Sequence, residues 1–301
     1  MSRIVADLGF ACLKNPIMPA SGCFGWGREY SQLFALNILG AVVTKAVTPE
    51  PRPGNPGPRV TETPGGVLNA IGLENRGLTA ALTEELPWLQ SQGVPILVNV
   101  AGRTEEDYVQ VAEALGDQNL LGLELNLSCP NVREGGISFG TDAKTVYKLV
   151  SRVRQVCPLP LVVKLTPNVT DITEPARGAE AGGADALTVI NTLRGMAINV
   201  RTRRPVLGNV TGGLSGPAIK PVALSMVWQV ATAVSIPVIG CGGIAQVEDV
   251  VEFLLAGAAA VQVGSAAFAD PLLLPRLVSD LESWLEREKC SVEELVGAAH
   301  S

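Results

Sequence analysis

The chain has one histidine in 301 residues, His300, next to the C-terminus. That scarcity excludes Ser-His and Cys-His nucleophilic pairs and any histidine-based metal centre. Acid–base work must fall to Cys, Lys, Asp, Glu, Ser or Tyr. The position of His300 predicts a frayed end. Aromatics are only 4% of the residues, so the core must be aliphatic. The six cysteines (12, 23, 129, 157, 241 and 290) never fall in C-x-x-C or another metal or cluster spacing. The N-terminus MSRIVADLGF has no apolar h-region, and no apolar run is long enough to span a bilayer. Reduced thiols and a cytoplasmic location follow as expectations. A net charge of −6 argues against a nucleic-acid partner.

What is present is a long series of short apolar runs alternating with helical patterns. After a strand pair within residues 3–12 come runs at Ile17–Ala20, Ala41–Thr44, Pro95–Val98, Leu121–Leu127, Leu161–Val163, Ala186–Ile190, Pro237–Ile239 and Ala260–Val263. Helical spacing is read near 28–36, 76–91, from Thr104, 141–157, 171–181, to about 234, 247–256 and 271–298. Thr104 is read as an N-cap with Asp107 in the capping-box position. Eight strands in this length predict an α/β fold, a (β/α)8 TIM barrel of parallel strands with a small N-terminal strand pair, as one domain over 1–301. An open doubly wound sheet should carry G-x-G-x-x-G after its first strand, and none is there. Two Pro- and Gly-rich excursions, 49–66 and 193–217, read as long functional loops.

In such a barrel the chemistry sits at the C-terminal ends of the strands. Those ends carry Ser21, Lys45, Asn99, Asn126 with Cys129, Lys164, Asn191 with Thr192, Gly242 with Gly243, and Gly264 with Ser265; Asn69 adds a strand-adjacent amide. Side-chain amides both donate and accept, which suits a planar ring whose edge alternates C=O and N–H, such as a pyrimidine or a flavin. Glycines after the seventh and eighth strands suit a phosphate held by backbone N–H groups, and Gly216 could add another. Ring plus phosphate suggests FMN. A Schiff-base lyase using Lys45 or Lys164 is the competing reading, and a catalytically silent FMN-binding scaffold a further one. The stretch Leu121–Gly140, LGLELNLSCPNVREGGISFG, delivers Cys129 at a strand end stopped by Pro130 and then enters a glycine-rich loop suited to act as a lid.

Three stretches resemble class 1 dihydroorotate dehydrogenases: NLSCPNVREGGISFGTD at 126–142, NAIGLENRG at 69–77, and TRRPVLGNVTGGLSGPAIKPVAL at 202–224. The glycine-rich loop and RRPVLGNVTGGLSG are more similar to the NAD-linked class 1B than to the fumarate-using class 1A. The resemblance runs essentially end to end. It implies oxidation of dihydroorotate to orotate in pyrimidine synthesis. Cys129 would be the general base at C5, with hydride leaving C6 for FMN. Lys45, Asn69, Asn126, Asn191 and Thr192, with the backbone of Ala70, Ile71, Gly72 and Leu73, would hold the substrate. Ser21, Lys45, Ala46, Asn99, Asn126, Lys164, Ile190, Gly216, Gly242, Gly243, Gly264 and Ser265 would hold FMN, Lys164 offsetting negative charge on the ring. It also implies an electron-transfer partner carrying FAD, a [2Fe–2S] cluster and an NAD site, in a heterotetramer of two catalytic and two partner chains.

Overall fold

The computed structural model describes residues 3–127 and 140–300. Eight parallel strands form the centre: β1 (Ile17–Pro19), β2 (Val42–Val43), β3 (Ile96–Val100), β4 (Gly122–Asn126), β5 (Leu161–Lys164), β6 (Ala186–Val189), β7 (Val238–Cys241) and β8 (Ala258–Val263). Each pairs with its sequence neighbours from β2 round to β8, and β8 pairs with β1. The seam between β1 and β2 is crossed by the Gly40 N–H, which donates to the Ile17 carbonyl at 3.0 Å. A Cβ on Gly40 would lie 2.1 Å from the Asn15 carbonyl oxygen, so only glycine fits there. This is the expected (β/α)8 barrel.

The residues of these strands are almost all buried, as expected of a parallel sheet covered on both faces. Helices Glu105–Leu115, Ala143–Val156, Thr173–Ala181, Lys220–Ala233, Val247–Leu255 and Leu273–Glu288 surround them. Thr104 and Asp107 form the reciprocal capping box that their spacing predicts. Asp142 caps Ala143–Val156 by accepting from the Thr145 N–H at 2.8 Å. The N-terminal pair Ala6–Asp7 and Cys12–Leu13 is antiparallel. Its turn reaches the entry of β7, where a Cβ on Gly9 would sit 3.4 Å from the Pro237 ring.

Four expectations need correction. Residues 28–36 are not a helix but hold 3-10 turns at Tyr30–Gln32 and Leu36–Ile38, with Phe24, Tyr30 and Phe34 packed ring to ring. The helical pattern at 76–91 runs from Gly77 to Gln90 but contains a π turn at Ala81–Glu85; Pro87, which cannot donate within the ladder, sits just beyond it. The terminal segment 271–298 is broken at Lys289, whose φ is +57°, and restarts with the Ser291 cap before Val292–Leu295. His300 is not frayed: its ring stacks 3.8 Å from that of Trp228, and Nε2 lies 3.0 Å from the Ala256 carbonyl.

The largest departure concerns the two excursions. They contain strands rather than structureless loops. Val60–Thr63 and Gly66–Asn69, from the connection after β2, join Leu193–Met196 and Thr211–Ser215, from the connection after β6, in one antiparallel sheet. Gly66 and Gly213 allow the close approach: a Cβ on either would meet Ser215 O at 1.8 Å or Thr192 Oγ1 at 2.0 Å. Leu68, Ala70 and Leu207 form a small core of their own beneath this sheet.

Candidate functional site

The antiparallel sheet and the strand ends enclose a cavity of about 850 Å³. It lies at the C-terminal ends of the barrel strands. β1 leads into Ser21, β2 into Lys45 and Ala46, and β3 contributes Asn99. β4 ends at Asn126, β5 at Lys164, and β6 leads to Ile190, Asn191 and Thr192. β7 leads to Gly242 and Gly243, and β8 to Gly264 and Ser265; every one of these residues lines the cavity. Asn69, Ala70, Ile71, Gly72, Leu73 and Gly216 line it from the antiparallel sheet and its loops. The structure therefore brings together every expected site residue except Cys129, which lies outside the described residues.

Lys164 stands on the barrel floor. Its Nζ donates to Gln262 Oε1 at 2.9 Å and to Ser21 Oγ at 3.3 Å, and lies 4.0 Å from Glu124 Oε1. Burial works against charge on this ammonium, and the buried Glu124 carboxylate favours it. Lys164 is thus a fixed cation. Cys23 and Cys241 also line the cavity. Burial pushes the Cys23 thiol up to about 12 against the opposing pull of Lys164, and raises Cys241 by the same cause. Neither is a thiolate at neutral pH.

The amides of the site are oriented by partners. Asn191 Nδ2 donates to Asn126 Oδ1 at 3.1 Å, and Asn69 Nδ2 to the Gly213 carbonyl at 3.3 Å. Asn99 Nδ2 donates to Glu124 Oε1 at 2.7 Å, while Asn99 Oδ1 is buried with no partner among the described residues. An orphaned buried acceptor costs about 1–3 kcal/mol, so the position is suited to a ligand N–H. The glycine edge is equally committed. Gly216, Gly242 and Gly243 have φ of +100°, +132° and +78°, and a Cβ on Gly243 would lie 2.8 Å from Lys220 N and Cα. Backbone in that conformation can present N–H groups to an anion without side chains in the way.

Two residues of the site were missed in the sequence. Glu124 is fully buried and accepts from Asn99, Thr188 Oγ1 (2.9 Å) and Gln262 Nε2; Gln262 is fully buried beside it. The signal was available. Glu124 alternates with Leu123 and Leu125, so it must face the barrel axis if they face the helices.

Fold and cavity together define a (β/α)8 barrel with an amide-lined, cation-floored ligand cavity covered by an inserted antiparallel sheet. The chain belongs to the dihydroorotate dehydrogenase family: the family model described as "Dihydroorotate dehydrogenase" matches residues 6–285. Among its relatives is a Geobacillus kaustophilus protein 57% identical over 287 residues, spanning 95% of this chain and 92% of that one. A Bacillus caldolyticus protein is 56% identical over the same shares. A Listeria monocytogenes protein is 56% identical over 282 residues, 93% of each chain. All three are named dihydroorotate dehydrogenase B (NAD(+)), catalytic subunit. No helix among the described residues is long and apolar enough to cross a membrane.

Proposed function

We propose that this chain, acting as one catalytic domain in the cytoplasm, oxidises dihydroorotate to orotate for pyrimidine synthesis and passes the electrons to NAD through a partner subunit. The observation that carries the reading is the cavity itself. One buried cation, a set of oriented amides, an unpartnered amide oxygen and a glycine edge converge on it, in a chain more than half identical to NAD-linked relatives. These features fit FMN. Lys164, Asn99, Asn126, Ser21, Lys45, Ala46 and Ile190 would hold the ring and its ribityl chain. Gly216, Gly242, Gly243, Gly264 and Ser265 would cradle the phosphate. FMN, when bound, accepts the hydride that leaves C6 of the substrate.

The chain's own residues do the rest. Asn69, Asn126, Asn191 and Thr192, with the backbone from Ala70 to Leu73, hold the substrate's ring and carboxylate, and Lys45 touches both substrate and cofactor. The hydrogen bond between Asn191 and Asn126 makes the two amides one rigid unit, so binding costs little further ordering. Cys129 takes the proton from C5 as a thiolate. Cys23 and Cys241, with raised thiols, cannot substitute for it. The antiparallel sheet lines one side of the cavity with Val60, Val67, Asn69 and Thr211.

The relatives' designation as catalytic subunits supports a separate electron-transfer chain. We assign it FAD and a [2Fe–2S] cluster, two copies joining two of this chain. A Schiff-base lyase using Lys164 is disfavoured, because its Nζ is already engaged by Gln262 and Ser21 beside the Glu124 carboxylate.

The test is anaerobic. Purified chain should be yellow, and dihydroorotate should bleach it; NAD should restore the colour quickly only when the partner chain is added. Colourless protein would remove FMN from the reading, an unbleached flavin would remove the substrate, and rapid NAD reduction by the single chain would remove the partner.

A further inference from the structure

Glu124 does not line the cavity, yet it touches the groups that do. It sits on β4, fully buried, and the groups around it come from four other strands: Asn99 on β3, Lys164 on β5, Thr188 on β6 and Gln262 on β8. A carboxylate only accepts hydrogen bonds, whereas a side-chain amide has one donating and one accepting end. Glu124 therefore dictates which way both neighbouring amides lie. Gln262 must turn Nε2 toward Glu124, which leaves Oε1 for the Lys164 ammonium at 2.9 Å. Asn99 must turn Nδ2 toward Glu124, which leaves Oδ1 without a partner at the cavity wall.

We propose that Glu124 is a positioning residue that sets the polarity of the cofactor's ring site. By locking the Asn99 and Gln262 amides it presents one acceptor and one anchored ammonium to a planar heterocycle carrying an N–H donor and an electron-accepting edge. The naming of that heterocycle as FMN rests on the function proposed above; the locked amides do not. Lys164 is held by Gln262 and by Ser21, beside the Glu124 carboxylate at 4.0 Å, so it cannot follow the ligand. Glu124 also leaves less net positive charge beneath the ring than Lys164 alone would.

Glu124→Gln is nearly isosteric, but its amide no longer forces either neighbour to one orientation. In the purified holo chain it should weaken FMN binding about tenfold or more, as loss of a charged hydrogen-bond hub does. It should also raise the flavin midpoint potential, because removing a carboxylate beside Lys164 favours the electron-rich ring. A merely structural glutamate would lower the melting temperature and leave the potential where it was. Unchanged FMN affinity and potential in a folded Glu124→Gln protein would overturn the proposal. A neutron structure of the wild-type holo chain tests it even if the variant does not fold. The Asn99 and Gln262 amide deuterons should both face Glu124, with Asn99 Oδ1 accepting from the ring; deuterons on the opposite ends would overturn it. Wild-type protein that binds no FMN would instead sink the functional reading, and the deuteron positions would still decide the role of Glu124.

Discussion

The two faces of the barrel strands obey different rules. Toward the helices the strands present Val98, Leu123, Leu125, Val163, Leu187 and Val261, all fully buried. On the neighbouring positions, toward the axis, they present Asn99, Glu124, Lys164, Thr188 and Gln262, which are just as buried. The outer face is held by volume: any aliphatic side chain of the right size serves, because burial gains are proportional to area. The inner face is held by pairing, since each buried polar group costs free energy unless its partner is in place. One face specifies the barrel, the other what the barrel can bind.

The sharpest way to break this division is at the inner face's glycine edge. Gly243→Val must adopt a φ of +78° and place its Cβ against the Lys220 backbone, 2.8 Å from both N and Cα. The expected outcome is complete loss of FMN retention, read from the absorbance of the purified protein. A variant as yellow as wild type would show that the phosphate is not held there.

The outer face should respond in the opposite way. Leu123→Ala removes fully buried aliphatic volume one residue before Glu124 and should cost about 2–5 kcal/mol of stability, measured by denaturant unfolding. The bleaching rate per folded, FMN-loaded molecule should stay near that of wild type. If bleaching slowed while stability held, the two faces would not be separable.

The division also explains what could be read from the sequence. The outer face was legible because apolar alternation over Leu121, Leu123, Leu125 and Leu127 needs no partner to be recognised. The site's lining was legible because lysines and amides at strand ends have few other uses. Alternation places Glu124 on the axis side, but the role of Glu124 and Gln262 was not legible, because it lies in partners on strands that only the closed barrel brings together. The antiparallel sheet was hidden for the same reason. Gly66–Asn69 pairs across more than a hundred residues with Thr211–Ser215 and locally with Val60–Thr63, and the glycine and proline content of the excursions around them reads locally as loop.

Cys129→Ser sharpens the comparison from the side of the chemistry. A serine keeps the shape but is a far weaker base, so bleaching by dihydroorotate should slow roughly 10²-fold while orotate binding persists. In wild type the rate should rise with pH as the thiol ionises, near about 8.5 for a free cysteine, and that limb should vanish in the variant. Cys12→Ser, at an exposed thiol, is the control. Cys241 is not, since it lines the same cavity as Lys164. Stopped-flow bleaching of the variant at the wild-type rate, with the same pH profile, would show that Cys129 is not the base.

The smallest effect belongs to the outer layer's helix starts. Thr104 accepts from the Asp107 N–H at 3.2 Å, and Asp107 returns the contact to the Thr104 N–H at 3.4 Å and the Arg103 N–H at 2.7 Å. Thr104→Ala removes one half of this box and should cost about 1 kcal/mol. Thr104→Ser should recover most of it, because the hydroxyl is what the cap requires. The helix it opens, Glu105–Leu115, carries Tyr108, whose hydroxyl donates to the Asn126 carbonyl at 2.7 Å. That bond is a route by which this cap could reach the site, and the helix is also held by the buried Val111, Ala112 and Leu115. With so much packing behind it, a frayed first turn should leave Tyr108 in place. Thr104→Ala should therefore shift the unfolding midpoint while orotate affinity stays unchanged. A parallel loss of orotate affinity would mean that the outer layer sets the inner face through Tyr108 rather than merely supporting it.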